Sequence, residues 1–319
     1  MSRRYENPWP HEDHSVLDIL WWKLGVRHRE TPVWEDAPDT PAEHIALDPA
    51  ALRSPPTAGW RVLWLGHSSF LLQGAEVSLL IDPVFSPHCA PLPFPSLRRL
   101  VDPPCGIRDL PEIDAVLLSH SHYDHCDVPT LEALGNDIPL IVPEGHRSWL
   151  AKKGFRDVRE AAWFESLSFR KGVTFTATPS QHFTARTPFD RNRAHWCGWL
   201  VEGGGCKLWH AGDSAWCPAF REIGERLGPI DLGMIPIGAY QPRSIMRSMH
   251  MNPEEAVDVF EDTRCRRAIA MHWGTFRLTD EPMGEPPLRL RNELRKRGIA
   301  DDVFRVPMVG EMFEVGRRV

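Results

Sequence analysis

The chain has 319 residues, 42% of them hydrophobic and 25% charged, so it can bury a sizeable core in one large domain or two small ones. Its formal net charge of −6 argues against nucleic-acid binding through a general basic field, because phosphate contacts need clustered lysine and arginine. Its 7 cysteines form no CxxC pair, which favours a reducing compartment over a disulfide framework. We find no apolar signal core and no membrane-spanning stretch, so we expect a cytoplasmic protein or one peripheral to a membrane.

The composition divides the chain unequally. Residues 1–59 are rich in proline, tryptophan and charge, and are predicted to form an N-terminal extension packed on a domain of residues 60–319. That domain alternates strand and helix patterns, which predicts an α/β core with functional residues at strand ends. We predict strands at Arg61–Leu65, Ser69–Leu72 and Val77–Ile81, the last two as a hairpin, and helices at Val128–Leu134, Arg147–Lys153, Pro218–Leu227, Pro253–Thr263 and Leu288–Arg297.

The densest chemical signal is the segment SHSHYDH at residues 119–125, which follows the apolar strand pattern Ala115–Leu118. Imidazole nitrogen and carboxylate oxygen are ligands that zinc and similar divalent ions take. On an extended backbone His120 and His122 project to the same side, so we expect them to share one ion. Asp124 and His125 leave the strand register and are free to face a second ion. We interpret the segment as a metal site rather than as a histidine-rich loop.

Further candidates lie elsewhere in the chain, most of them after an apolar strand pattern. They are His182, Asp213, His272 and, just before a helix, His250. Taken singly, each of the first three is as readily a structural polar residue as a ligand. His250 is expected to assist at the substrate, with a surface histidine as the alternative. His67 and Asp82 end the first strands, and we expect them to orient ligands from behind.

The order of strands, ligands and helices resembles the metallo-β-lactamase superfamily, whose HxHxDH motif matches residues 120–125. Over about residues 5–300 the chain also resembles one family within it, the N-acyl-phosphatidylethanolamine-hydrolysing phospholipases D. The segments that carry this resemblance are WLGHSS at 64–69, IDPVF at 81–85, DSAWCPAF at 213–220, IPIGAY at 235–240, NPEEA at 252–256 and AMHWGTF at 270–276.

The resemblance implies a fold, a ligand set and a reaction. The fold would be a four-layer αβ/βα sandwich. His120, His122 and His182 would hold one zinc ion, Asp124, His125 and His272 a second, and Asp213 would bridge the two. Separately from the resemblance, we expect Asp124 and His250 to take part in catalysis. The family hydrolyses the distal phosphodiester bond of N-acyl-phosphatidylethanolamine. The residues alone imply only metal-assisted hydrolysis, and two ions would activate water without a serine or cysteine nucleophile.

The substrate has to be inferred from the periphery of the predicted site. The proline-rich loop Ser86–Gly106 carries Arg98 and Arg99, which suit a phosphate head group, although an ordinary surface loop is an equal alternative. The apolar stretch Val16–Leu24 suits either a membrane or the core. Phe183 follows His182 where the family has tryptophan, which leaves the pocket lining open. We expect an amphiphilic phospholipid substrate, with a lactonase or amide hydrolase as the alternative, and the sequence leaves a homodimer open.

Overall fold

The computed structural model describes residues 4–12, 14, 16–23, 25, 34 and 36–316, and only the backbone of residues 16, 17, 19 and 20. Two seven-stranded mixed sheets form its centre. In chain order the strands are β1 (Trp60–Gly66), β2 (Ser69–Gly74), β3 (Ser78–Ile81), β4 (Ala115–Leu117), β5 (Leu140–Pro143), β6 (Val158–Ala161), β7 (Ser166–Ser168), β8 (Thr174–Thr178), β9 (Gly198–Gly203), β10 (Cys206–His210), β11 (Leu232–Pro236), β12 (Ala268–Met271), β13 (Phe304–Arg305) and β14 (Met312–Val315).

Helices cover the sheets. They are α1 (Val16–Lys23), α2 (Val128–Leu134), α3 (Arg147–Lys152), α4 (Ala219–Arg226), α5 (Arg243–Met246), α6 (Pro253–Asp262) and α7 (Glu285–Arg297). The first sheet has the order β14-β1-β2-β3-β4-β5-β6 and the second β13-β12-β11-β10-β9-β8-β7. Strands β3 to β6 are parallel to one another, as are β10 to β13, so their carboxyl ends lie at one edge of each sheet.

Strand β1 shows why the sheets stack as they do, because it is apolar on both faces. Val62 and Trp64 point into a buried cluster that also contains residues of the second sheet. Leu63 and Leu65 point the other way, into a cluster shared with Leu131 of α2 and with α3. Residues 62–65 of this strand are buried on both faces, which is why the sequence shows an apolar run there instead of an alternation.

The predicted α/β sandwich is confirmed, and the predicted strands and helices occur within a few residues of their expected ends. The start of α6 follows from its sequence. Asn252 accepts a hydrogen bond from the backbone nitrogen of Glu255, whose carboxylate accepts one from the backbone nitrogen of Asn252. The strands β5, β6, β7, β9, β11, β13 and β14 were not predicted, because most of them are short and carry little alternation.

The described parts of the N-terminal extension contact the domain, although its boundary at residue 59 stays a prediction. His44 pairs with Val309 as an isolated bridge. In α1 the Trp22 side chain is buried and its Nε1 donates to Asp280 at 2.7 Å, whereas Trp21 is 48% exposed. Leu24 and the side chains of residues 16, 17 and 20 lie outside the described residues. No helix in the described part of the chain is both long and apolar enough to cross a membrane.

Candidate metal centre

The predicted ligands meet where strand ends of the two sheets face each other. The segment from His120 to His125 follows β4, and His182 follows β8. Asp213 and His272 follow β10 and β12, which are parallel to β11 between them. The ends of four strands therefore bring together side chains that are up to 152 positions apart, from His120 to His272.

Unusual backbone conformations place several of these side chains. His67, Asp82 and His272 have φ values of 52°, 43° and 58°, in the left-handed region that costs non-glycine residues free energy. Gly212, with φ of 66°, precedes Asp213, and a Cβ there would lie 2.5 Å from the carbonyl oxygen of Cys197. Only glycine fits that position, so the turn that presents Asp213 is specified by its neighbour.

Three imidazoles form the first group. Nε2 of His120 lies 2.9 Å from Nδ1 of His122, which lies 3.2 Å from Nε2 of His182. Zinc ligands at about 2.0–2.1 Å in a tetrahedral site are about 3.3 Å apart, so this spacing fits one shared ion after small adjustments. The three nitrogens belong to a set of ligand atoms that all lie within 4.8 Å of one another.

The second group combines imidazoles with a carboxylate. Asp124 Oδ2 lies 3.5 Å from Nε2 of His272, 3.6 Å from Nε2 of His125 and 3.0 Å from Nε2 of His67. These four residues form another set within 4.8 Å. His67, expected behind the ligands, is thus placed beside Asp124, where it can orient that carboxylate.

Asp213 lies between the two groups. Its Oδ2 is 3.1 Å from Nε2 of His125 and 3.1 Å from Nε2 of His272. The same oxygen is 3.8 Å from Nε2 of His120 and 3.7 Å from Nε2 of His182. A single carboxylate within reach of both groups is the arrangement that a bridging ligand requires.

Hydrogen bonds behind the ligands fix which imidazole nitrogen faces the centre. Nδ1 of His182 lies 2.9 Å from the carbonyl oxygen of Met249, which can only accept, so Nδ1 donates and Nε2 carries the lone pair. Nδ1 of His125 likewise donates to Asp82 at 2.7 Å. The Nε2 lone pair of His125 then faces the carboxylates of Asp124 and Asp213, and these groups repel one another unless a cation lies between them. The residues therefore fit a bound metal.

The pKa values of the imidazoles differ between the two groups. Burial, with the neighbouring His182, lowers the pKa of His122 to about 3, and burial lowers the pKa of His182 to about 4, so these imidazoles are neutral and able to bind metal. Burial acts the same way on His125 and His272, but the carboxylates outweigh it. Asp213 and its neighbours hold the pKa of His125 well above its usual range and raise that of His272 to about 9. The second group therefore favours positive charge, which protonated imidazoles or a bound metal ion would supply.

Two contributors behind the ligands were not found from the sequence. The Ser119 hydroxyl lies 2.5 Å from Asp82 Oδ2 and 2.9 Å from Nδ1 of His120. The Arg186 side chain donates to carbonyl oxygens of the loop that carries His122. Ser119 adjoins the motif, so its position was a usable signal. Arg186 has no sequence signal, because only the tertiary fold brings it to that loop.

His250 also lies at the centre. Its ring centroid is 5.0 Å from that of His182 and 5.3 Å from that of His272. Its Nδ1 is buried and has no hydrogen-bond partner in the described structure. The backbone of His250 is held by Arg243, which donates to its carbonyl oxygen at 2.9 Å and also binds Glu255. His250 therefore presents a nitrogen to whatever occupies the centre.

The structure separates the two arginines of the proline-rich loop. Arg98 is exposed, whereas Arg99 is 6% exposed and donates to the carbonyl oxygens of Val84, Ser86 and Val101. The guanidinium of Arg99 also lies 4.7 Å from the ring centroid of Phe276. Through these contacts Arg99 holds the loop in place. A substrate contact by either arginine stays a prediction.

Comparison with known proteins agrees with the fold. The family model of the β-lactamase superfamily domain matches residues 78–273. The chain belongs to the metallo-β-lactamase superfamily and is a hydrolase of that fold, with a histidine and aspartate cluster that can bind metal.

Its relatives include named phospholipases. The chain is 36% identical to N-acyl-phosphatidylethanolamine-hydrolyzing phospholipase D 1 of Caenorhabditis elegans, over 82% of this chain and 77% of that protein. It is 34% identical to the mitochondrial N-acyl-phosphatidylethanolamine-hydrolyzing phospholipase D of Saccharomyces cerevisiae, over 76% of this chain and 53% of that protein. An uncharacterised protein of Mycobacterium tuberculosis is 35% identical over 87% of this chain and 73% of its own length.

Among solved structures, the isothiocyanate hydrolase from Delia radicum gut bacteria superposes with a TM-score of 0.66 at 21% identity, covering 81% of this chain and all of that one (100%). Igni18, a metallo hydrolase from Ignicoccus hospitalis, superposes with a TM-score of 0.62 at 22% identity, covering 80% of this chain and 98% of that one. At these identities the likeness concerns the fold.

Proposed function

We propose that the chain is a dizinc phosphodiesterase that hydrolyses N-acyl-phosphatidylethanolamine, or a related amphiphilic phosphodiester, by phospholipase D-type cleavage. The observation that carries this proposal is Asp213 Oδ2, which lies within 3.8 Å of imidazole nitrogens from both groups and so suits a bridge between two ions. The named relatives support the substrate class. When bound, two zinc ions act as Lewis acids toward a phosphoryl group and make water nucleophilic near neutral pH.

The residues of the chain would orient the substrate and move protons. Burial lowers the pKa of His250 well below its usual range, so this imidazole is neutral and offers one N–H donor. From its place between His182 and His272 it can donate to a phosphoryl oxygen. In the reaction the bond from phosphorus to the ethanolamine oxygen breaks, and that oxygen takes up a proton.

Apolar side chains beside the centre suit a lipid. Phe183 lies 4.6 Å from His122, centroid to centroid, where an acyl chain would be shielded from water. In the proline-rich loop Leu92 and Phe94 are 60% and 48% exposed. With the exposed Trp21 of α1 they would meet a membrane surface, and we propose a cytoplasmic protein in peripheral contact with a membrane. Exposed apolar side chains that lie together mark surfaces where proteins contact membranes or other proteins.

Product analysis in H₂¹⁸O tests the reaction. We expect wild-type protein to convert N-acyl-phosphatidylethanolamine vesicles into N-acylethanolamine and phosphatidic acid, with the label in phosphatidic acid, because water attacks phosphorus. The Asp213→Ala variant should be inactive and should lose one or more ions, whereas Asp137→Ala, which changes a 73% exposed side chain, should behave as wild type. Label in N-acylethanolamine would mean cleavage of the carbon–oxygen bond, and active protein without a transition metal would refute the mechanism.

The same product analysis should be made with lactones, a β-lactam and a soluble phosphodiester as substrates. Phe183, where the phospholipase family has tryptophan, changes the pocket beside His122, and this leaves a lactonase or amide hydrolase as the second candidate. Turnover of a lactone or lactam above that of every phosphodiester would favour this second candidate.

A further inference from the structure

Arg186 lies in the loop that follows the ligand His182, and it contacts the loop that carries His120 to His125. Its Nη1 donates to the carbonyl oxygens of Ser121 and Cys126, each at 2.8 Å. These two carbonyls flank His122, Asp124 and His125. One guanidinium nitrogen therefore links the two ends of the segment that holds three of the predicted ligands.

Tyr123, within the ligand segment, contacts Arg186 in turn. Its hydroxyl donates to the carbonyl oxygen of Arg186 at 3.2 Å, and its ring centroid lies 3.9 Å from the guanidinium carbon. The backbone nitrogen of Arg186 in turn donates to Asp190 at 3.0 Å, as does that of Thr187 at 2.8 Å. Hydrogen bonds therefore fix the backbone of Arg186 as well as its guanidinium group. Because the backbone is already held, the side chain loses less conformational entropy when it binds the loop of His120 to His125.

We infer that Arg186 and Tyr123 form a clamp that positions the metal ligands. The first imidazole group takes His120 and His122 from the loop after β4 of one sheet and His182 from the loop after β8 of the other. The clamp joins those two loops outside the ligands, and so it sets the separation of His122 Nδ1 and His182 Nε2, which is 3.2 Å.

An arginine suits this position for geometric reasons. A planar guanidinium can stack on Tyr123 with its face and donate to two carbonyl oxygens with its edge. A lysine keeps the charge and can still donate to a carbonyl oxygen, but its ammonium cannot stack in the same way. Arg186→Lys is therefore a conservative variant that should retain part of the effect, and Tyr123→Phe removes the hydroxyl and keeps the stacking.

The test measures metal retention, and it rests on the proposed dizinc centre and not on any substrate. Zinc-loaded wild type, Arg186→Ala, Arg186→Lys and Arg156→Ala are exposed to a graded series of chelators, and bound zinc is determined by elemental analysis. Arg156 is the matched control, because its side chain is 71% exposed and pairs with the surface carboxylate of Asp137 at 2.7 Å.

We expect Arg186→Ala to weaken zinc binding by about tenfold or more, the range for partners that orient metal ligands, with Arg186→Lys intermediate and Arg156→Ala unchanged. Circular dichroism at the same temperature should show equal folded content in all four proteins. Zinc affinity of Arg186→Ala within twofold of wild type would overturn the clamp, and so would an equal loss in Arg156→Ala. A wild type that binds no zinc would instead refute the proposed function.

Discussion

Asp82 accepts a hydrogen bond from Nδ1 of His125 at 2.7 Å and, through the Ser119 hydroxyl, reaches a ligand of the other group. A carboxylate can only accept, so the Ser119 hydroxyl donates to Asp82 and is left to accept from Nδ1 of His120 at 2.9 Å. Both imidazoles then turn an Nε2 lone pair toward the centre. One buried carboxylate therefore sets the tautomers of ligands in both groups.

Asp82→Asn should weaken both metal sites. The amide lacks the charge, and its NH₂ group cannot accept the hydrogen bonds that Ser119 and His125 donate to the carboxylate. We expect the affinity for each ion to fall about 10–100-fold, measured by elemental analysis after dialysis against graded chelators. Asp137→Asn, on the surface, is the control.

Loss of neither ion from Asp82→Asn would mean that the ligands hold their tautomers without this carboxylate. Loss from the His125 group alone would mean that the path through Ser119 to His120 is not used.

His250→Ala should keep its metal while kcat falls. The His250 ring lies 5.0 Å from His182 and 5.3 Å from His272, and its buried Nδ1 has no hydrogen-bond partner among the described residues. Loss of a donor that hydrogen-bonds the reacting phosphoryl group in the transition state costs about 10²–10³ in rate. Metal content and kcat are measured on the same preparation, with the exposed His44→Ala as control. Loss of an ion would make His250 a ligand, and unchanged kinetics would exclude it from the reaction.

The sequence could predict the centre to the extent that its signals are local. The run from His120 to His125 is recognisable because four candidate ligands fall within six positions. Asp213 and His272 have no such density, and only the resemblance to a family singled them out. The Met249 carbonyl that orients His182 could not be found at all, since every residue carries a carbonyl group and only the fold selects one.

The same limit applies to the fold. Long apolar runs such as β1 and capped helices such as α6 were predicted, because hydrophobic pattern and capping act within a few residues. Arg98 and Arg99 show where prediction from local sequence fails. Adjacent in sequence and identical in type, Arg98 and Arg99 were given one role, and yet one is exposed and the other is 6% exposed.

Replacing Leu92 and Phe94 by serine should weaken vesicle binding and raise KM for aggregated lipid. These side chains are 60% and 48% exposed, so their replacement costs the fold little, while a membrane would bury them. Hydrolysis of a soluble phosphodiester should stay nearly unchanged. Met312→Ser, at a 37% exposed position on β14, is the control. Undiminished vesicle binding by the double variant would place the membrane contact elsewhere, for example at Trp21.

Arg98→Ala and Arg99→Ala should have different effects. Arg98 is exposed, so its loss should reduce the preference for vesicles that contain anionic phospholipid and leave thermal stability unchanged. Arg99 donates to the carbonyl oxygens of Val84 and Val101, and its loss leaves them without that donor. We expect the free energy of unfolding to fall by about 1–3 kcal/mol, measured by urea denaturation.

Metal bound to the native state alone would add to the measured stability, so both variants are compared with wild type at equal free zinc. A lower free energy of unfolding in Arg98→Ala would place its side chain within the packing of the loop. Wild-type stability in Arg99→Ala together with a changed lipid preference would instead move Arg99 to the substrate, because a guanidinium that merely holds backbone carbonyls has no means of selecting among lipids.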